Sequence, residues 1–292
     1  SAPLNDETRN KLAAFCHVQP QAVMSTHDVP NIYHVPLMLQ EQGLCEILGV
    51  DWSATNLLDE WRAMAHHLDT LNEEVHIAMV GKYTDLSDAY LSVIKSLQHA
   101  AMAVDRKLVI DWIEASHLED GWAATDHQAA WELLKNADGV LVPGGFGDRG
   151  IEGKVLAAHH ARTKDVPYLG ICLGLQIATI EFCRNVLGMD GANSTEFEDN
   201  PDHAAVVFMP EISKTHLGGT MRLGSRPTLW QHRGSAIRQL YGPGEAVDER
   251  HRHRYEVNPD LIERIEAEGL MFVGKDESGQ RCEIFELNDH PY

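Results

Sequence analysis

The chain is poor in basic residues: 24 Lys and Arg stand against 44 Asp and Glu, leaving a formal charge of −20 over 292 residues. That balance repels a phosphate backbone and argues against a nucleic-acid binder. No apolar run approaches the roughly 20 residues that span a bilayer, and Ser1-Ala2-Pro3-Leu4-Asn5-Asp6-Glu7 lacks the basic and apolar regions of a secretory leader. No membrane association and a cytoplasmic location are therefore expected. The five cysteines (Cys16, Cys45, Cys172, Cys183, Cys282) are scattered, odd in number and free of C-x-x-C pairs, which argues against a disulfide framework and a structural zinc site. Seventeen histidines include His66-His67, His159-His160 and the pair His251 and His253, but none lies in an H-E-x-x-H pattern. Adjacent histidines point to different sides of an element. His251 and His253 could share one strand face without an evident third ligand, so no metal site is expected. Gly81-Lys82 is not preceded by the spacing of a phosphate loop and reads as a turn with a lysine.

With 43% hydrophobic and 23% charged residues, the composition is that of an ordinary globular chain. Residues 1–74 carry short helix candidates at Asp6 to Phe15, Leu37 to Gly43 and Leu57 to Leu71, separated by proline-punctuated segments. They hold few apolar residues and read as a linker without a core of its own. From Val75 the pattern changes. Apolar strands at Val75 to Val80, Lys107 to Ile113, Gly139 to Val142 and Val166 to Leu169 alternate with helical segments, including one with Leu91, Ile94, Leu97 and Ala101 on one face behind a Ser87 or Asp88 cap. Repeated βα units predict an α/β fold: a mostly parallel central sheet with helices on both faces. Short strands at Ala204 to Met209, Thr220 to Leu223, Leu270 to Val273 and Cys282 to Leu287 add an antiparallel extension.

The most informative segment is Gly170-Ile171-Cys172-Leu173-Gly174, between an apolar strand and the helix Leu175 to Phe182. In a G-x-[Ser/Cys]-x-G turn the glycines let strand and helix pack closely, and strain holds the nucleophile out beside backbone N–H groups. Taken alone, a free cysteine reads as a small buried residue. The second loop Val142-Pro143-Gly144-Gly145-Phe146-Gly147 changes that reading, because its glycines let a ligand reach peptide N–H groups that can serve as an oxyanion hole. Both loops fall at the carboxyl ends of strands, where such folds place ligands.

Together, Pro143-Gly144-Gly145-Phe146-Gly147 and Gly170-Ile171-Cys172-Leu173-Gly174-Leu175-Gln176 resemble the class I glutamine amidotransferases, whose domain is flavodoxin-like. Phe15-Cys16-His17-Val18, Gly81-Lys82-Tyr83, Asn193-Ser194-Thr195-Glu196-Phe197, Gly218-Gly219-Thr220-Met221-Arg222-Leu223-Gly224 and Arg250 to Asn258 narrow the resemblance to the glutaminase half of the CTP synthase family. The resemblance implies that Cys172 attacks the side-chain amide of L-glutamine to give a thioester. It implies an oxyanion hole of the Gly145 and Leu173 N–H groups, and a glutamine site of Gly144, Gln176, Glu196 and Arg254, with Glu196 on the α-ammonium and Arg254 on the α-carboxylate. Residues 1–74 then become the tail of a synthase (amidoligase) half plus a linker, and 75–292 the glutaminase domain. ATP, magnesium and the activator GTP are implied for the complete enzyme, which aminates UTP, with no cofactor in this domain and homo-oligomerisation through the synthase half.

The family activates its thiol with the histidine and glutamate of a His-Pro-Glu motif, whereas this sequence ends in His290-Pro291-Tyr292. His290 is not assigned as the base, and a sequence cut short of the catalytic pair is the expectation. Two other readings stay open: a catalytically silent interaction or assembly module of the same fold, and the glutaminase of another amidotransferase.

Overall fold

The computed structural model describes residues 2–50, 57–82, 87–209 and 221–292. Tyr83, Pro210, Gly218-Gly219-Thr220 and part of the expected Ser87 or Asp88 cap lie outside the described residues or side chains. The chain divides into two compact units, one of residues 1–74 with 96–107, the other of residues 75–95 with 108–292.

The first unit carries α1 (Asp6–Cys16), α2 (Val35–Glu41), α3 (Leu44–Leu48) and α4 (Leu57–Thr70). The Asn5 side chain accepts from the Thr8 N–H at 2.8 Å and so caps α1. Contrary to the expectation of a coreless segment, Tyr33, Leu37 and Ala65 are buried together, with Leu58, Trp61, Met64 and Leu68 packed around them. Few apolar residues suffice because two of them are large aromatics, Tyr33 and Trp61, meeting edge to face at 5.9 Å.

The second unit is built on a sheet of β1 (Glu74–Gly81), β2 (Lys107–Glu114), β3 (Gly139–Val142) and β4 (Tyr168–Gly170), in the order β2-β1-β3-β4. Pairing of β1 with β3 and of β3 with β4 is parallel. All four residues of β3 are buried, as expected of a central parallel strand covered on both faces. The helices α5 (Leu91–Ala103), α6 (Ala124–Asn136), α7 (Ile151–Thr163) and α8 (Leu173–Asn185) alternate with these strands. In α5 the expected apolar face is realised at Ala101, whereas Leu91, at the first turn, is exposed. Strand β4 begins two residues later than the sequence pattern suggests, and the preceding Pro167 offers no N–H to a ladder.

Helix α8 is buried nearly all round and forms the centre of the core with Ile177, Ala178, Ile180, Phe182 and Cys183. Its one buried charge, Glu181, receives two bonds of 2.8 Å from the Arg162 guanidinium and a third of 2.8 Å from His159, both on α7, with Asn185 at 3.0 Å. Every lone pair needed is thereby used, which offsets the cost of burying the carboxyl group.

The extension comprises two further sheets. One holds β5 (Ala192–Ser194), β6 (His203–Phe208) and, later in the chain, β9 (Tyr255–Val257). The other holds β7 (Arg222–Trp230), β8 (Ala246–His253), β10 (Leu270–Lys275) and β11 (Cys282–Leu287), antiparallel in the order β11-β10-β7-β8. Two short helices, α9 (Ala236–Tyr241) and α10 (Ile262–Ala267), complete the unit. No helix among the described residues is long and apolar enough to cross a membrane.

The junction of β3, β4 and α8 leaves no room for side chains at two glycines. A Cβ on Gly174 would lie 2.2 Å from the Val142 carbonyl oxygen, and one on Gly170 would lie 2.5 Å from the Gly174 carbonyl carbon. Gly174→Ala is expected to destabilise the chain by about 3 kcal/mol through overpacking against backbone, while Gly234→Ala, with nothing within 4 Å of the added carbon, stays within about 0.5 kcal/mol of wild type. Denaturant unfolding checks the pair; equal stabilities would show that the junction relaxes freely.

Candidate active site

Cys172 sits at the N-terminal end of α8 with φ 55° and ψ −100°. This backbone region is costly for a residue with a Cβ, on the order of 1–3 kcal/mol, and persists only where the surroundings enforce it. The enforcement is visible: Ile171 N–H donates to Val142 O at 2.9 Å, Gly174 N–H to Ile171 O at 3.0 Å, and Tyr168 Oη to Gly174 O at 2.8 Å. As a result Cys172 is exposed, whereas Cys183 and Cys282 are buried and their thiols are pushed up to about 12 by desolvation. The Cys172 thiol is also raised from its ordinary value, first by desolvation of the sulfur in the cleft and then by the Glu196 charge, against a lowering contribution from the Leu173 N–H. The sulfur also stands 4.0 Å from Arg252 O.

Six of the seven residues singled out from the sequence, Gly145, Cys172, Leu173, Gln176, Glu196 and Arg254, line one cleft. Gly144 lies directly behind it, its Cβ position 3.4 Å from Cys172 Cβ. Among the described residues, no backbone carbonyl accepts from the Gly145 N–H. Gln176, one turn into α8, donates from Nε2 to Tyr255 O at 3.0 Å and ties α8 to the start of β9, the residue after Arg254. Glu196 is reached by the Gly147 N–H and by the charges of Arg254 and Lys82, yet desolvation dominates and raises its pKa. Among the described residues, the buried Arg254 Nε has no hydrogen-bond partner, a donor left for an anion.

Phe146, Arg252, His253 and Tyr255 complete the lining and were not foreseen as site residues. Lys82, read from sequence as part of a turn, is buried and donates from Nζ to Phe146 O at 2.6 Å, bracing the glycine loop. Only its position after a buried strand hinted at this. His251 and His253 do share a side of β8, where they pair with each other. His253 Nδ1 pairs with Tyr255 O at 3.1 Å, and His251 Nδ1 pairs with His253 Nε2 at 3.1 Å. Both rings are held below their ordinary pKa by burial. His290 pairs with Arg162 O at 2.9 Å and stands 3.3 Å from Asp165. A surface groove of about 540 Å³ runs along α6 past Trp131, lined by His127, Gln128, Glu132 and Lys135 and by no cysteine.

An exposed thiol on a strained strand-to-helix turn, with a glycine loop beside it and an Arg/Glu pair across the cleft, defines the class of enzyme. The family description "Glutamine amidotransferase class-I" matches residues 85–292, and "CTP synthase N-terminus" matches residues 1–52. CTP synthase of Dictyostelium discoideum is 52% identical over 99% of this chain and 55% of its own length. CTP synthase 1-B of Xenopus laevis is 48% identical over the whole chain and 51% of its own length. Among solved structures, the glutaminase domain of Trypanosoma brucei CTP synthase with bound acivicin superposes with a TM-score of 0.65 at 36% identity, covering 73% of this chain and 79% of that one. The chain belongs to the CTP synthase family and contains its class I glutamine amidotransferase domain. It spans about half the length of the curated relatives it matches.

Two residues beyond Arg254, Glu256 of β9 is buried, and among the described residues its Oε2 has no hydrogen-bond partner. Burial and the nearby Asp276 and Glu283 push its pKa up to about 7, opposed by Arg222; Arg281 Nε stands 3.8 Å away. A carboxyl raised from 4.5 to about 7 on folding takes up a proton between those values, so its stability penalty is absent below about pH 4.5 and complete above about pH 7, roughly 3 kcal/mol. Glu256→Gln is expected to raise the thermal midpoint at pH 8, with the gain closing towards pH 4.5. An equal gain at both pH values would refute the assignment.

Proposed function

We propose that this chain is a cysteine glutaminase that supplies ammonia for CTP synthesis in the protein containing it. The Cys172 thiolate attacks the carboxamide carbon of L-glutamine. The carbonyl π electrons move to oxygen, and the resulting oxyanion faces the N–H groups of Gly145 and Leu173, donors fixed before the charge develops. Collapse of that intermediate breaks the C–N bond, the nitrogen leaves as ammonia after taking up a proton, and a γ-glutamyl thioester remains on Cys172. Water then hydrolyses the thioester to glutamate and restores the thiol.

Arg254 holds the α-carboxylate by a charge-assisted bond and Glu196 the α-ammonium; Gly144 and Gln176 shape the floor of the cleft. The supporting observation is the meeting of a strained, exposed Cys172 with the unpaired Arg254 Nε in one cleft. The raised pKa of Cys172 calls for a base. We assign that role to the histidine of the family's His-Pro-Glu motif, oriented by its glutamate; residues 1–292 contain no such tripeptide. In the whole protein the ammonia aminates UTP in an ATP- and magnesium-dependent synthase half, with GTP as activator, in a cytoplasmic homo-oligomer assembled through that half. Residues 1–74 are read as the tail of that half and the linker, and 75–292 as the glutaminase domain.

In the whole protein, Cys172→Ala is expected to abolish glutamate release and covalent labelling by acivicin while leaving synthesis from added ammonia intact. Arg254→Gln is expected to raise KM for glutamine roughly ten- to hundredfold, the worth of one charged hydrogen bond. Labelling at a different residue, or glutaminase activity in the Cys172→Ala protein, would discard the mechanism; loss of ammonia-dependent synthesis as well would make Cys172 structural.

A further inference from the structure

Far from the cleft in sequence, the fold of residues 1–74 brings together three side chains that no sequence motif connects. His34 ends a short 3-10 turn, Ile32–His34, immediately before α2, while His66 and Asp69 lie three residues apart on α4. Residues at that spacing share a helix face. One ligand atom from each of the three side chains lies within 4.8 Å of the others. His34 Nε2 is 2.7 Å from Asp69 Oδ2, and the His34 and His66 rings stand 5.4 Å apart at 72°.

The backbone that presents these groups is fixed. Tyr33, next to His34, is buried, and Trp61 Nε1 donates to its carbonyl at 2.5 Å. Asn31 Nδ2 donates to Ala65 O at 3.2 Å and to Asp69 Oδ1 at 2.7 Å, so α4 and the turn are pinned on either side of the cluster. The second bond also settles which carboxylate oxygen remains for a ligand: Oδ1 is occupied by Asn31, and Oδ2 faces His34. Outer bonds of this kind orient ligands in metal centres.

We propose that His34, His66 and Asp69 form a binding site for a divalent transition-metal ion, with zinc as the best-matched cation. Two imidazoles and one carboxylate form the donor set that zinc takes with a water in the fourth position, whereas magnesium and calcium require oxygen ligands. Zinc–ligand bonds of about 2.0–2.2 Å place tetrahedral ligand atoms roughly 3.3–3.5 Å apart. The present spacing, 2.7 Å between His34 and Asp69 and no more than 4.8 Å for any pair, is compatible with that value. Entry of the ion replaces the His34–Asp69 hydrogen bond by two metal bonds, with His34 coordinating through the neutral Nε2 and its proton on Nδ1. Asp69 binds through Oδ2 while Asn31 retains Oδ1. His34 and Asp69 are 16% and 32% exposed in their side chains, which leaves a solvent side for the water ligand. The bound ion links residue 34 to residues 66 and 69 and closes a long loop, stabilising the folded unit by mass action.

Zinc titration of the metal-free chain by calorimetry, with cobalt absorption as a second readout, tests this. Expected are one tight equivalent that excess magnesium does not displace, visible cobalt ligand-field bands, and a thermal midpoint raised by zinc. His66→Ala and Asp69→Asn should weaken that equivalent at least tenfold, since even outer partners of metal ligands are worth that much. His67→Ala, whose ring contacts Asp105 and Met102 O instead, should leave it unchanged. Because His66 is exposed, its variant keeps the fold, checked by circular dichroism. Absence of a tight equivalent in the wild-type chain, equal affinity in wild type and His66→Ala, or loss in His67→Ala alone would each overturn the site.

Discussion

The geometry of the candidate site hangs on a backbone contact that admits hydrogen and nothing larger. At Gly174 the first turn of α8 touches the Val142 carbonyl, and Gly170 faces the same turn from the end of β4. Only with these surfaces in contact does the chain reverse sharply enough to put Cys172 at φ 55° and turn its sulfur outward. The local strain is carried by distant packing. Glu181 and Arg162 hold α8 against α7, while a helix buried on nearly every side cannot rotate to relieve the elbow. Thus exposure of one thiol rests on burial of the thirteen-residue helix that follows it.

Legibility in the sequence followed the locality of the cause. The strand β3 was delimited correctly because it is an apolar run closed by turn residues, and β11 because its apolar residues sit between a Gly279-Gln280-Arg281 turn and Asn288-Asp289. The strand-to-helix turn at Cys172 was legible because its glycines and cysteine are adjacent. By contrast, β5 and β9 are three residues long and owe their existence to β6 between them, so no periodicity within either segment announces a strand. Polar β8 alternates between exposed and half-buried positions, with charged and histidine side chains where an apolar stripe would ordinarily show. The core around Tyr33 was missed for a related reason: it joins residues some 30 positions apart, and counting apolar residues says nothing about which of them meet.

The binding side chains show the same division. Cys172 and the glycine loop could be reasoned from local chemistry, but Glu196 and Arg254 had no local signal and entered through family resemblance alone. The structure puts both in the cleft with Cys172, since β5 leads directly to Glu196 and the β8–β9 junction carries Arg254. Lys82 shows why such residues resist sequence reading. Its buried ammonium is lowered in pKa by desolvation and finds its partner, the Phe146 carbonyl, across 64 residues.

Charge in the cleft works on a scale that the net balance of −20 does not reveal. Glutamine is a zwitterion without net charge, so the overall field steers it little, and in the proposed complex recognition falls to the local pair Arg254 and Glu196. The same pair couples binding to chemistry. In the free cleft the Glu196 charge adds to desolvation in raising the Cys172 thiol. In the proposed complex the substrate's α-ammonium sits against Glu196 and offsets that charge, which favours the thiolate at the moment its target is in place. The α-carboxylate, meanwhile, is taken up by Arg254, whose Nε is otherwise unpaired, and so adds little negative potential at the sulfur. In the proposed complex, substrate recognition and thiol activation are in this way two consequences of one arrangement of charges.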